Sequence, residues 1–143
     1  MITVAHILKT KGSAVSSVNP SIMVREALRI MAEKNIGAIV VMENEKLVGI
    51  FSERDYARKI ILKDKSSQTT PISEIMTEEL ITVTPNTNID DCMVIMTEKH
   101  IRHLPVLEGE KLVGVISIGD LVKFIIEDQK IRIQNLESYI SGQ

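Results

Sequence analysis

The chain has 143 residues, with 17 Lys and Arg against 19 Asp and Glu and a formal net charge of −2. That length suits about one domain, and the near-neutral balance argues against a dedicated nucleic-acid binder, whose footprint is a strong basic excess. Hydrophobic residues make up 44% and charged residues 25%, an ordinary globular composition rather than a disordered one. Phe51, Tyr56, Phe124 and Tyr139 are the aromatic residues, there is no Trp and there are seven Met, so the core is expected to be aliphatic. The single cysteine, Cys92, excludes an internal disulfide and a multi-cysteine zinc site, and favours a reducing compartment. MITVAHILKTKG lacks the basic start and apolar stretch of a signal peptide. No apolar run nears the ~20 residues that span a membrane. A cytoplasmic protein with no membrane partner is expected.

An apolar turn at Val4, Ile7 and Leu8 opens the chain. A β run, Ala14–Val18, follows and ends at Asn19-Pro20, because proline lacks the amide that would continue a ladder. Val24, Ala27, Leu28 and Met31 then recur at the spacing of one buried helix stripe. Two β runs, Ala38–Met42 and Leu47–Phe51, turn at Asn44, a residue type that tolerates positive φ. A helix starts near Asp55. The stretch KDKSSQTTP, 63–71, has no apolar residue and reads as a linker. Ile72, Ile75 and Met76 form a second apolar turn, and Leu80–Thr84 a β run ended by Pro85. The next helix carries Ile89, Cys92, Met93 and Met96, with Asn88 and Asp91 as a capping pair. Met23 stands where Asn88 does, so the first helix start is less well specified. Leu104–Leu107 and Leu112–Ile116 turn at Gly109, and a helix from near Asp120 continues to about Ile140.

These elements repeat. A shift of 65 residues brings Val18–Ile60 onto Val83–Ile125 without a gap, and 17 of the 43 pairs are identical. EKLVG, 45–49 and 110–114, is the longest matching block. For the leading apolar turns the offset grows to 68, so the first copy has three extra residues around Lys11-Gly12-Ser13. The order is β-α-β-β-α, twice: an α/β (α+β) fold of tandem repeats. Residues 1–62 form the first repeat with its N-terminal turn, 63–71 the linker and 72–143 the second repeat. Its last helix places Val122, Ile126, Ile133, Leu136 and Ile140 at spacings of 4, 7, 3 and 4, with Gln129 at the missing seam position. That helix either packs against a second copy or lies along its own domain.

The matched segments Gly49-Ile-Phe-Ser-Glu-Arg-Asp55 and Gly114-Val-Ile-Ser-Ile-Gly-Asp120 carry the chemistry. Each ends a strand with a hydroxyl and sets a carboxylate three residues later, at a helix start. Backbone donors and a Ser hydroxyl there suit a phosphate, and an Asp can accept from vicinal ribose hydroxyls. The same residues also make an N-cap with a favourable first-turn charge. Arg54 and Arg58 either meet a phosphate or form a solvated helix face. His6 and His100 have no clustered ligand partners, Cys92 falls in the apolar stripe, and neither metal binding nor a reactive thiol is expected.

Together these segments, Ile101-Arg-His-Leu-Pro-Val106 and the Pro-led helices resemble the CBS domain pair, or Bateman module, over nearly the whole chain. SERDYARKIIL and SIGDLVKFII with the long last helix are similar to stand-alone bacterial members without an attached enzyme. The resemblance implies two repeats related by a pseudo-twofold axis, with adenine-containing ligands (AMP, ADP, ATP, NAD(H) or S-adenosylmethionine) in clefts between them. It implies ribose contacts at Asp55 and Asp120, and ribose or phosphate contacts at Ser52 and Ser117. Adenine would lie against Val18, or against Thr82 and Val83. Hydrogen bonds would form near Ala38, or near His103 and Pro105. Ile118 and Gly119 replace Glu53 and Arg54, so in the second copy Arg102 and His103 are the candidate basic residues and the two sites are inequivalent.

No nucleophile–base constellation, P-loop or dinucleotide fingerprint is present. A non-catalytic sensor of adenine nucleotides is therefore expected, forming a homodimer and acting on a client enzyme or transporter. The other reading is an interaction scaffold with vestigial clefts.

Overall fold

The structure is a computed structural model and describes residues 2–12 and 14–142. Ser13, in the three-residue expansion, lies outside the described residues. By contacts the chain divides into two units, one holding 14–82 with 107–113 and the other 2–12, 83–106 and 114–142.

In the first of these units, β1 (Ser17–Val18) runs parallel to β2 (Ala38–Glu43), which pairs antiparallel with β3 (Lys46–Ser52). β1 is shorter than the expected Ala14–Val18, with only Ser17 and Val18 in register opposite Val40 and Val41. The β2–β3 turn has Asn44 and Glu45 at φ 52 and 65, the pair of positive values a two-residue hairpin needs. α2 (Val24–Lys34) buries Val24, Ala27 and Met31 as the spacing requires. Met23 offers no side-chain cap. The free amides of Val24 and Arg25 instead donate to the carbonyls of Thr70 and Ser67, each at 2.9 Å, so the linker caps this helix. The core gathers Val18, Ile39, Val41, Phe51 and Ile60 with Ile72 and Ile75 from the 3₁₀ turn at 72–74 and the residue after it. Thr77 exchanges both backbone bonds with Ile50, at 2.8 and 3.0 Å. Gly49 permits that approach, since a Cβ there would lie 2.6 Å from Met76 Sδ and 3.2 Å from the Thr77 carbonyl. After β3 come one helical turn, α3 (Glu53–Asp55), a wide π-turn over Tyr56–Ile60 and a 3₁₀ turn at Ile61–Lys63.

The other unit repeats the scheme with α1 (Val4–Lys11) as its leading segment. Val4 and Ala5 donate to the carbonyls of Thr87 and Pro85 at 2.8 and 2.9 Å, and Ile89 donates to Ile2 at 3.0 Å. His6 Nδ1 accepts from the Thr3 amide at 2.9 Å, which makes this histidine a helix cap. Leu8 lies over Gly114, where a Cβ would stand 2.5 Å from Leu8 Cδ2. Leu8 and Met76, Ile7 and Ile75, and Val4 and Ile72 are the pairs related by the 68-residue offset, and each pair plays the same part in its unit. α4 (Ile89–Lys99) is capped by Asn88, whose side chain accepts from the Asp91 amide at 2.9 Å. β4 (His103–Glu108) and β5 (Lys111–Ser117) form a two-stranded sheet, turning at Gly109 with φ 64. The expected strand Leu80–Thr84 is reduced to one parallel bridge, Val83 with Val106. α5 (Ile118–Ile140) runs 23 residues, about 35 Å. Leu121 is buried, whereas residues 129–140 are exposed throughout, so the far half of α5 does not lie along its own unit.

Candidate functional site

Each unit builds the same turn where β3 or β5 hands over to a helix. Ser52 and Ser117 leave the strand in extended conformation, and each is the N-cap of the helix that follows. The Asp55 and Asp120 amides donate to the serine hydroxyls at 3.2 and 3.1 Å. In return the Ser52 and Ser117 amides donate to the carboxylates at 2.9 and 2.8 Å. This reciprocal box fixes both carboxylates at a helix start, where the aligned peptide dipoles favour negative charge. The next amide is anchored as well: Glu53 donates to the Gly37 carbonyl at 3.1 Å and Ile118 to that of Arg102 at 2.9 Å. That bond holds the residue preceding Ala38, or His103, beside the turn.

The partners each carboxylate takes beyond its box distinguish the two turns: Asp55 uses its other oxygen, whereas Asp120 uses the oxygen that already accepts from the Ser117 amide. Asp55 Oδ1 accepts from Thr77 Oγ1 at 3.3 Å and pairs with Lys59 Nζ at 3.2 Å. Asp120 Oδ2 accepts from Lys11 Nζ at 2.6 Å, and that ammonium also donates to the Val115 carbonyl at 2.9 Å. Burial alone would raise the Asp120 pKa, but the bonds from Lys11 and the Ser117 amide outweigh it and hold the carboxyl below its usual value. His103 shifts down, chiefly by burial and then by the positive charges of Lys11 and Arg102. At neutral pH it is therefore an uncharged imidazole. The cation beside Asp120 is Lys11.

The candidate residues sort by unit. Val18, Ala38, Ser52, Arg54, Asp55 and Arg58 belong to one; Val83, Arg102, His103, Pro105, Ser117 and Asp120 belong to the other; Thr82 ends the first. Ala38 stands opposite Ser52 in the β2–β3 ladder. Arg54, Arg58 and Arg102 are exposed, while Val18, Val83, Ala38 and Pro105 are buried. Lys11, Lys59 and Thr77 were not among the candidates. Lys59 could have been found at i+4 from Asp55 on a helix, and Thr77 and Lys11 lie on the leading segments whose offset differs. Burial pushes the Cys92 thiol up to about 11, with Asp91 adding to the shift, as suits a core residue. Among the described residues no three His, Cys, Asp or Glu side chains are grouped to hold a metal ion. A groove of about 470 Å³, lined by none of the candidate residues, lies between Ile2, Ile89 and the Ile125–Arg132 face of α5.

Fold and turns together define a duplicated α/β module with one matched carboxylate turn in each copy. The family profile of the CBS domain matches residues 2–62 and 72–127. The chain belongs to the CBS domain family as a domain pair, a regulatory module. It is 39% identical to the Arabidopsis thaliana CBS domain-containing protein CBSX3, mitochondrial, over 98% of this chain and 72% of that protein. A solved CBS-domain protein from Burkholderia ambifaria is 49% identical with a TM-score of 0.85, covering 89% of this chain and 96% of that one. The CBS domain pair of protein MJ0100, solved in complex with 5′-methylthioadenosine and S-adenosyl-L-methionine, is 25% identical with a TM-score of 0.80, covering 90% of this chain and 98% of its own. No helix of the described residues is long and apolar enough to cross a membrane.

Proposed function

We propose that this protein is a non-catalytic sensor whose two serine–aspartate turns each receive an adenosine-containing ligand. The reading rests on the reciprocal boxes at Ser52/Asp55 and Ser117/Asp120, which present a fixed carboxylate acceptor to a ribose diol in both copies. The complex of MJ0100 with two adenosyl compounds supports that ligand class. In the first turn, adenine would sit near Val18 and Ala38, with Arg54 and Arg58 taking phosphate. In the second it would sit near Thr82, Val83, His103 and Pro105, with Arg102 and Lys11 as the cations. AMP, ADP, ATP and NAD(H) suit this double cationic provision, and S-adenosylmethionine suits the diol contact alone. Ligand binding would act by favouring one state of the module toward a client enzyme or transporter, by no more than its differential affinity for the two states.

Calorimetric titration of dialysed protein with AMP, ATP, NADH and S-adenosylmethionine tests this. At least one should bind below the millimolar range, and Asp55→Ala and Asp120→Ala should each remove one binding event. Asp→Asn at the same positions keeps a cap acceptor and separates ligand loss from fold loss. Millimolar or weaker binding of all four compounds, or unchanged stoichiometry in both variants, would refute the assignment.

A further inference from the structure

We infer that Asp120 offers a ribose diol an open acceptor, whereas Asp55 accepts one only after Thr77 and Lys59 give up its carboxylate. This rests on the adenosine reading above and adds to it a difference in how the two turns are regulated. A carboxylate has about four lone-pair acceptor sites over its two oxygens. Asp55 Oδ2 accepts from the Ser52 amide at 2.9 Å and from the Ser52 hydroxyl at 3.2 Å. Its Oδ1 accepts from the Thr77 hydroxyl at 3.3 Å and lies 3.2 Å from the Lys59 ammonium. Both oxygens of Asp55 are thus engaged twice. Asp120 is engaged at one oxygen alone. Its Oδ2 takes the Ser117 amide at 2.8 Å and the Lys11 ammonium at 2.6 Å, while Oδ1 accepts no hydrogen bond from the described residues.

The groups that close the first turn are themselves anchored. Thr77 exchanges two backbone bonds with Ile50, and Lys59 Nζ also donates to the Ile75 carbonyl at 3.0 Å and to Thr77 Oγ1 at 3.4 Å. The second turn has neither group at the equivalent position. The 65-residue shift sets Phe124 in the place of Lys59, and the 68-residue offset sets exposed Lys9 in the place of Thr77. Its own ammonium, Lys11, bonds Oδ2 and the Val115 carbonyl, so it neutralises Asp120 without taking Oδ1. Exposure agrees, at 23% for the Asp120 side chain and 13% for that of Asp55. The difference runs against the arginines, since Arg54 and Arg58 belong to the closed turn. A diol at Asp55 exchanges existing bonds, whereas at Asp120 it adds new ones.

Calorimetric titration of the full chain with AMP and with 2′,3′-dideoxy-AMP, which lacks both hydroxyls, tests this. Asp55→Ala leaves the Asp120 turn to be read alone, and Asp120→Ala leaves the Asp55 turn. Losing the diol should weaken binding about tenfold at the Asp120 turn and about twofold or less at the Asp55 turn. Thr77→Val or Lys59→Met, each added to Asp120→Ala, should strengthen AMP binding several-fold and leave dideoxy-AMP binding unchanged. Circular dichroism checks the fold of each variant. Thr77→Val in the otherwise wild-type chain, where both carboxylates remain, should show the same gain in one binding step only. Equal losses at the two turns, or no gain from either opening variant, would overturn the difference and leave the adenosine reading standing. Failure of the wild type to bind AMP would also overturn it, because an open acceptor beside Lys11 should take this nucleotide. Binding of NADH or S-adenosylmethionine would then keep the broader reading, and binding of none of these compounds would sink both.

Discussion

Replacing Lys11 by methionine removes the ammonium from Asp120 while keeping the aliphatic stem against α1's surroundings. Two bonds go, the 2.6 Å contact with the carboxylate and the 2.9 Å contact with the Val115 carbonyl. The Lys11 side chain is 41% exposed and that of Asp120 23%, so water screens the pair and its coupling should be about 1 kcal/mol, near the top of the range for surface pairs. A double-mutant cycle of Lys11→Met and Asp120→Asn, read by urea unfolding, isolates that coupling from the lost carbonyl bond. Its pH dependence follows from the sign of the shift. The Asp120 pKa is depressed in the folded protein, so the stability it contributes is present above the unfolded value near 3.8 and is lost as pH falls through the folded value. The coupling should therefore hold at about 1 kcal/mol from pH 7 to pH 5 and decay below pH 3.8. A coupling near zero at pH 7, or one that persists unchanged in strong acid, would refute the account of Lys11 as the partner of this carboxylate.

Gly49→Ala should cost about 1–3 kcal/mol, because the new methyl meets Met76 Sδ at 2.6 Å and a Thr77 carbonyl that its bond to Ile50 holds in place. Gly114→Ala meets only Leu8 side-chain atoms, so adding Leu8→Ala should relieve its strain and leave only the loss of leucine packing; urea midpoints of the single and double variants check both. The depressed His103 pKa means the folded protein binds fewer protons than the unfolded chain below about pH 6.5. Stability from this group is complete above that pH and falls as the solution is acidified. His103→Gln should flatten the thermal midpoint between pH 7 and pH 5, and an unchanged slope would show that another group sets it.

Much of the fold was legible because the signals were local. The Asn88 cap, the turns at Asn44 and Gly109, and the buried stripes of α2 and α4 each depend on residues a few positions apart. The run of α5 to Ile140 was legible for the same reason, though whether that helix lay on its own unit was not, since exposure depends on what surrounds it. The first strands were overestimated. Leu80–Thr84 has the composition of a strand, yet only Val83 finds a ladder partner, and residue type does not report partners. The capping of α2 by Thr70 and Ser67 was hidden because backbone carbonyls leave no trace in the residue pattern. At the candidate turns, Ser and Asp stood out by their repetition. Lys11 was missed because its partner stands more than a hundred residues away, and the offset that relates the leading segments differs from the one that aligns the two motifs.

The packing of α1 has a consequence for how the chain is made. Residues 14–82 hold nearly all of their unit and can begin to organise while the ribosome is still working, with Ile72 and Ile75 arriving soon after the strands they cover. Val4, Ala5 and Leu8 are made well before the residues they meet, Thr87, Pro85 and Gly114, which follow about 80 to 106 positions later in the chain. The N-terminal helix must therefore wait, with its apolar face uncovered, through most of synthesis. Closing so long a loop slows folding, so α1 should be among the last elements to gain protection from hydrogen exchange.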